Sequence, residues 1–376
     1  MKYYIIAGEA SGDLHGSNLI KSFKEQEAEA EFRYFGGDLM QAQGGTLVKH
    51  YAEMAFMGFV EVIANIGTIL SNLRIAKQDI LLYQPDVLIL IDFPGFNLKI
   101  AEFAKKNNIR VFYYISPKVW AWNQKRVLKI KKVVSRMFCI LPFEVEFYKN
   151  WGMEVDYVGN PILDAIEANH EEEDFTLRYN LKAYSVIALL PGSRKQELNK
   201  LLPVMMKLVD RFPSLQFVIA GAPNFTIQDY EFFIKNRAVQ VIFGNTYNLL
   251  NHSSAAIVAS GTATLETGLL KVPQVVVYKG NAISIAIARM VVKIRFISLV
   301  NLIMDEEIVK ELIQEDCTAE KLQAELNNLL HDPLYRTQML INYDELETKM
   351  GKPGASLRTA KLMMEYLAGE NTVNEA

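Results

Sequence analysis

Carboxylates set beside glycine turns are the residues of this sequence whose types and spacing can do chemistry. Asp92 directly follows the apolar run Val87-Leu88-Ile89-Leu90-Ile91 and precedes Phe93-Pro94-Gly95. That places it at the carboxyl end of a buried strand, where open α/β sheets bind their ligands. A carboxylate with apolar neighbours holds its proton more tightly than in water, which suits a general base. Capping the helix that runs on from Asn97 is the other reading. Near the amino end, glycines fall at positions 8, 12 and 16. This is not the G-x-G-x-x-G spacing of a dinucleotide fold, which argues against NAD or FAD here. Glu9 and Asp13 would repel a phosphate at that helix start, so an uncharged or hydroxyl-bearing group is the better guest. Alternatively, Asp13 caps the helix and Glu9 is solvated.

The second half of the chain has a different character. Leu189-Leu190-Pro191-Gly192-Ser193-Arg194 ends a strand and opens a helix containing Glu197. Free backbone amides, a helix dipole and a guanidinium converge there on a place for an anion. The stretch Ala259-Ser260-Gly261-Thr262-Ala263-Thr264-Leu265-Glu266 repeats the design with hydroxyls in place of arginine. Two such helix starts in one domain point to a diphosphate, although capping by Ser193 and Thr262 explains each singly. Glu266 lies one helical turn in, where a carboxylate cannot hold phosphate but can accept from ribose hydroxyls. A nucleotide diphosphate is therefore the expected ligand. Lys195 follows Arg194 without the G-K-[ST] order, so ATP hydrolysis of the P-loop kind is not signalled. The five histidines are scattered, and only His15, close behind Asp13, stands near candidate chemistry.

From Phe59 to Leu73, the residues Phe59, Val60, Val62, Ile63, Ile66, Ile69, Leu70 and Leu73 fill an arc of about 180° at helical spacing, wider than the roughly 100° one core contact needs. Part of that arc faces lipid or acyl chains, or else the helix packs on two sides or bends at Gly67. Lys125, Arg126, Lys129, Lys131, Lys132 and Arg136 lie close together beside Trp120 and Trp122 with no acid among them. With Arg289, Lys293 and Arg295 set among apolar residues, they read as a surface for anionic lipid headgroups, or singly as solvated faces.

These residues need elements to hold them. Short apolar runs recur, each followed by Gly, Pro or Ser and a helical pattern: Tyr3–Ala7, Val87–Ile91, Val111–Ile115, Met137–Leu141, Val186–Leu190, Gln216–Ala220, Ala255–Ala259 and Gln274–Tyr278. That alternation predicts βα units around parallel sheets. The chain of 376 residues is long enough for two domains at about 150 residues each. The acidic stretch Glu171-Glu172-Glu173-Asp174 marks a linker, placing the boundary near 162–182, and Gly351-Lys352-Pro353-Gly354 marks a second break before a last helix over 355–367. The expected domains are 1–165 with 352–376, and 180–350, facing each other across a cleft. A net charge of −3 offers no basic excess for nucleic acid. The only cysteines, Cys139 and Cys317, have no partner at zinc spacing, which fits a reducing cytosol. Tyr3–Ala7 is too short for an export signal, and no apolar stretch is long enough to span a membrane.

Gly8-Glu9-Ala10-Ser11-Gly12-Asp13, Met57-Gly58-Phe59-Val60-Glu61-Val62, Ser116-Pro117-Lys118-Val119-Trp120-Ala121-Trp122, Pro142-Phe143-Glu144, Tyr157-Val158-Gly159-Asn160-Pro161, Pro191-Gly192-Ser193-Arg194 and Gly261-Thr262-Ala263-Thr264-Leu265-Glu266 together resemble the bacterial lipid-A-disaccharide synthase family, in order and spacing, over residues 3 to 367. The resemblance implies a GT-B glycosyltransferase fold: two Rossmann-like domains, the second holding a UDP-sugar, with the last helix returning to the first. It implies a peripheral protein at the inner leaflet, with a homodimer left open. The implied reaction joins UDP-2,3-diacylglucosamine to 2,3-diacylglucosamine 1-phosphate (lipid X) through a β-1,6 link, inverts the donor's configuration and releases UDP. Asp92 is then the base, with Glu9 and Asp13 as acceptor-side contacts or substitutes. Gly192, Ser193, Arg194, Gly261 and Thr262 face the diphosphate and Glu266 the ribose. Asn301 matches a family position near the nucleotide sugar, and Gln314 with Glu315 follows in the same pattern. No cofactor is implied and no metal, since arginine and helix dipoles meet the leaving charge. A UDP-sugar 2-epimerase of the same architecture, and a non-catalytic lipid-binding protein, are the competing readings.

Overall fold

The computed structural model describes residues 1–54, 66–169, 172–182, 186–280 and 295–374. The chain divides into two units, Met1–Pro161 with Lys352–Ala376, and Ile162–Gly351. Each is a parallel sheet with helices between its strands.

Among the described residues, the first unit has strands β1 (Lys2–Ala7), β2 (Glu31–Gly36), β3 (Thr46–His50), β4 (Val87–Ile91), β5 (Val111–Tyr114), β6 (Arg136–Cys139) and β7 (Asp156–Tyr157). Their spatial order is β3-β2-β1-β4-β5-β6-β7, all parallel. Because helices cover both faces, the central strands are apolar throughout rather than alternating. Tyr4, Ile6, Leu88 and Leu90 pack on one face, and Tyr3, Ile5, Val87, Ile89 and Ile91 on the other.

The second unit has β8 (Val186–Leu190), β9 (Gln216–Gly221), β10 (Gln240–Phe243), β11 (Ala255–Ala259), β12 (Gln274–Tyr278) and β13 (Lys310–Ile313), ordered β10-β9-β8-β11-β12-β13 and again parallel.

The last helix, Ala355–Asn374, belongs to the first unit despite its place in the chain. Ala360, Met363 and Leu367 are buried in the same core as Leu19, Ile20 and Phe23 of the helix Ala10–Gln26. Its first turn is tied down by Arg358, whose Nε donates to the Val158 carbonyl at 2.9 Å and whose Nη atoms donate to the carbonyls of Lys352 and Pro353 at 2.7 Å.

In both sheets the strand order reverses once, between β1 and β4 and between β8 and β11. Loops leaving the carboxyl ends of the two strands at such a point go to opposite faces and open a crevice. Ala7 pairs with Ile91, so Gly8-Glu9 and Asp92 leave one crevice side by side; Leu190 pairs with Val258, so Pro191–Arg194 and Ser260–Thr262 leave the other.

Candidate active site

Asp92 and Phe93 both hold left-handed backbone, at φ of 42° and 47°. Non-glycine residues in that region cost on the order of 1–3 kcal/mol each and persist only where their surroundings fix them. The surroundings here are specific. The Asp92 amide donates to the Tyr114 carbonyl at 3.1 Å, and the Asp92 carbonyl accepts from the Tyr113 hydroxyl and from Asn97 Nδ2 at 2.8 Å. Asn97, fully buried, also donates to the Ile91 carbonyl at 3.1 Å. The Phe93 ring lies on Gly8 so closely that a Cβ there would come within 2.2 Å of it.

Held this way, the Asp92 carboxyl has its pKa pushed up to about 6, first by burial and then by Glu9; Lys118 and the Phe93 amide pull the other way. Glu9 occupies the position before the helix Ala10–Gln26 but makes no capping hydrogen bond there. Its charge thus remains available to Asp92. A carboxyl whose pKa is raised to about 6 can hold or release a proton near that pH, a requirement for general-base work.

Asp13 has another task. It is almost wholly buried, and its carboxylate accepts from the amides of Gly37 at 2.7 Å and of Leu39 and Met40 at 3.1 Å. These are the first amides of the helix Asp38–Ala42, which Asp13 caps from a distance. The expectation that it shares the acceptor site with Glu9 is corrected accordingly.

In the second unit, the helix Lys195–Val209 starts beside Gly192, whose φ of 98° suits glycine. Glu197 reaches back so that one of its oxygens accepts from the amides of Ser193 at 3.1 Å and Arg194 at 3.3 Å. Those two amides, expected to face an anion, are therefore satisfied internally. The Arg194 guanidinium is mostly exposed, 3.6 Å from the other Glu197 oxygen. The second helix start, at Thr262–Leu269, keeps Gly261 and Thr262 exposed at its tip, with no side-chain cap. Glu266, one turn in, is half-buried; its pKa is raised by burial, while the Tyr247 hydroxyl donates to Oε1 at 2.8 Å.

Asn301 is engaged within the fold. It is fully buried, and its Oδ1 accepts from the Ile308 and Val309 amides at 2.9 and 3.0 Å while its Nδ2 donates to the Val309 carbonyl and to Glu311. These four side-chain hydrogen bonds hold the turn that leads into β13. Gln314, just past the end of β13, is the opposite case. It has left-handed backbone at φ 53°, and its buried Nε2 has no hydrogen-bond partner among the described residues, leaving a donor at the carboxyl edge of the sheet.

The broad apolar arc is divided. Phe59, Val60 and Ile63 lie outside the described residues, as do Arg289 and Lys293. On the helix Ile66–Tyr83, Leu73 is 6% exposed and Ile69 packs on the core, whereas Ile66 and Leu70 are 58% and 57% exposed. In the basic stretch Lys129 pairs with Glu102 at 2.7 Å, and Arg136 stacks on Tyr366 at 4.0 Å. Trp122 is exposed with the Arg126 guanidinium over its ring, but Trp120 is buried. No helix of the described residues is long and apolar enough to cross a membrane.

Several partners in these sites had no signal in the sequence. Tyr113 reaches the Asp92 carbonyl only through the pairing of β5 with β4, and Lys118 acts on the Asp92 carboxyl by its charge from the loop after β5. Glu197 did have one, since a Glu at the third helical position is where a helix-capping carboxylate sits.

A family model described as lipid-A-disaccharide synthetase matches residues 3–358. The chain belongs to the lipid-A-disaccharide synthase family. A lipid-A-disaccharide synthase of Syntrophus aciditrophicus is 39% identical over 96% of this chain and 97% of its own. One of Geobacter metallireducens is 36% identical over 96% of each. Membership makes the chain a glycosyltransferase of lipid A biosynthesis. Its fold is also that of a UDP-GlcNAc 2-epimerase from Neisseria meningitidis bound to UDP-GlcNAc, with a TM-score of 0.69 at 14% identity, covering 98% of this chain and 100% of that one. The glycotransferase of kitacinnamycin has a TM-score of 0.66 at 14% identity over 97% and 99% of the two chains. At such identities the likeness is one of fold, and the family relation separates synthase from epimerase.

Proposed function

We propose that this protein transfers the 2,3-diacylglucosaminyl group of UDP-2,3-diacylglucosamine to the 6-hydroxyl of 2,3-diacylglucosamine 1-phosphate, lipid X. The products are the β-1,6 disaccharide 1-phosphate and UDP. The observation that carries the reading is Asp92: a strand-end carboxylate in fixed, strained backbone, poised to ionise near pH 6.

An inverting transfer is a single displacement. As the acceptor oxygen bonds to the donor's anomeric carbon, its proton passes to the Asp92 carboxylate. The anomeric carbon–oxygen bond breaks and its electron pair leaves on the UDP β-phosphate. No covalent sugar–enzyme intermediate is needed, so one base and a stabiliser for the departing diphosphate suffice. Glu9 keeps a second negative charge next to Asp92 and so strengthens it as a base. On the donor side, the exposed Arg194 guanidinium and the helix start at Gly261 and Thr262 meet the diphosphate. With the Ser193 and Arg194 amides engaged by Glu197, Arg194 acts through its side chain. Glu266 retains an oxygen for the ribose, and the unpartnered Gln314 amide offers the nucleotide-sugar a donor.

Both substrates are acylated, and the acceptor is an anion. The exposed Ile66 and Leu70, with Trp122, Arg126, Lys131 and Lys132, support association with the inner leaflet from one side. UDP release with the acylated donor should require lipid X; release of UDP from UDP-GlcNAc alone, with epimerised sugar, would replace the reading with an epimerase. Lys131→Glu with Lys132→Glu should weaken sedimentation with vesicles containing anionic lipid by roughly tenfold or more, at about 1 kcal/mol per cation lost. Unaltered sedimentation would remove that surface from membrane binding.

A further inference from the structure

The two amides that Glu197 engages belong to the loop that carries Arg194, and the carboxylate does more there than begin a helix. The helix Lys195–Val209 is held in the second unit by Leu198, Leu201, Leu202 and Met205, all buried. From that fixed base the Glu197 side chain, only 17% exposed, reaches back over the loop. One oxygen, Oε2, accepts from both the Ser193 and the Arg194 amide, at 3.1 and 3.3 Å. The other, Oε1, stands 3.6 Å from the Arg194 guanidinium. The helix Ile227–Ile234 carries a plainer form of this cap, in which Asp229 serves the amide and hydroxyl of Thr226, a single residue.

Two further residues close around the Glu197 carboxylate and its loop. Gly192, at φ 98°, lies so near that a Cβ there would come within 2.1 Å of Oε2, so a left-handed glycine leaves the room that the carboxylate fills. From the loop after β9, the Asn224 side chain donates to the Ser193 carbonyl at 3.0 Å. Both backbone groups of Ser193 are thus engaged, and Arg194 leaves the chain from extended backbone at φ −114° and ψ 139°. A guanidinium on a long side chain binds a diphosphate well only if little freedom remains to be lost, and a fixed backbone removes part of that loss beforehand.

We propose that Glu197 is a positioning residue for the donor: with Asn224 it braces Gly192–Arg194, so that the Arg194 guanidinium is presented to the diphosphate. This rests on Arg194 being a contact of the diphosphate. A carboxylate so close to an anion site repels the ligand, and that cost is offset only where the brace contributes more than the charge takes away.

The test is UDP affinity by calorimetry on the full chain, beside melting curves. Glu197→Ala should weaken UDP roughly tenfold, as Arg194→Ala does. The double variant Arg194→Ala/Glu197→Ala should bind no worse than Arg194→Ala, because a brace has nothing to present once the guanidinium is gone. Glu197→Gln should bind at least as well as wild type, since its one carbonyl oxygen can accept from both amides and the negative charge is lost. A further tenfold loss in the double variant overturns the proposal. So does a gain of affinity in Glu197→Ala, which would make the carboxylate a competitor of the ligand, and so does a Glu197→Gln as weak as Glu197→Ala. Asn224→Ala removes an exposed side chain and should weaken UDP about threefold in the wild-type chain but not in Arg194→Ala. Any equal effect in those two backgrounds, nil included, overturns the proposal whatever Glu197→Ala does to folding. UDP affinity untouched by Arg194→Ala defeats the donor-side reading and the brace with it; a loss there with none in Glu197→Ala defeats the brace alone.

Discussion

At the crevice of the first sheet, Asp92 and Phe93 sit in strained backbone, fixed by Tyr113, Asn97 and the close approach of Gly8, and burial raises the pKa of the carboxyl. At the crevice of the second sheet the same strand reversal carries two helix starts and an exposed guanidinium, and two strands away, past the end of β13, Gln314 keeps a buried amide donor without a partner among the described residues. One fold has thus been furnished in two ways. A proton acceptor must be partly desolvated to tune its pKa, and desolvation requires neighbours packed around it. A diphosphate brings its own charge, and its receptor needs donors left open at helix ends. The internal hydrogen bonds differ in the same way: in the first unit they fix the backbone of the proposed base, and in the second Glu197 uses up two helix-start amides that the sequence offered to an anion.

Three changes test that contrast. Asp92→Asn should lower kcat by about a thousandfold while UDP affinity by calorimetry stays near wild type; turnover within a few fold of wild type would end the contrast, because the first crevice would then hold no base. Arg194→Ala should weaken UDP binding by roughly tenfold, the loss expected for one charge-assisted contact of about 1.4 kcal/mol, and should leave the acidic limb of the pH profile where it was. Unchanged UDP affinity would remove the guanidinium from the donor side. The smallest effect is the sharpest for the first site. Because Asp92 must be ionised to accept a proton, kcat/KM should rise with pH to a limb near about 6. Removing the like charge with Glu9→Gln lowers the Asp92 pKa, so the limb should move to lower pH, by less than about one unit. A limb moving upward would mean that Glu9 acts on Asp92 by some means other than its charge.

The central strands were legible because each is an apolar run closed by Gly, Pro or Ser, the pattern of a sheet buried on both faces. Glu31–Gly36, next to the sheet edge, and the edge strands Thr46–His50, Gln240–Phe243 and Lys310–Ile313 were not, since polar residues interrupt their apolar runs. The same limit applied to the wide arc ending at Leu73. Helical spacing placed Ile66, Ile69, Leu70 and Leu73 on one stripe, and only the packed fold shows which of the four meet the core.

Asp92 and Glu9 could be picked out from sequence as candidates because strand ends and glycine turns are local marks. Asp13 could not be told from Glu9 in this way. Both are acids in one short motif, and the three amides that engage Asp13 belong to residues 37–40. Asn301 likewise fell on a family position, and only the fold shows that its side chain is bonded to residues 308, 309 and 311.

By itself, the order of residues determined the alternation of strand and helix, the two helix starts that suit an anion, the strand-end aspartate and the family. Each of these is written in runs of a few residues, where apolar period, glycine and proline act directly on the backbone. Only the tertiary structure decided which carboxylate is taken up by backbone amides, which helix-start amides are satisfied internally, and in which direction the Asp92 pKa moves. Those are sums over neighbours in space, and desolvation and hydrogen-bond satisfaction take no account of distance along the chain.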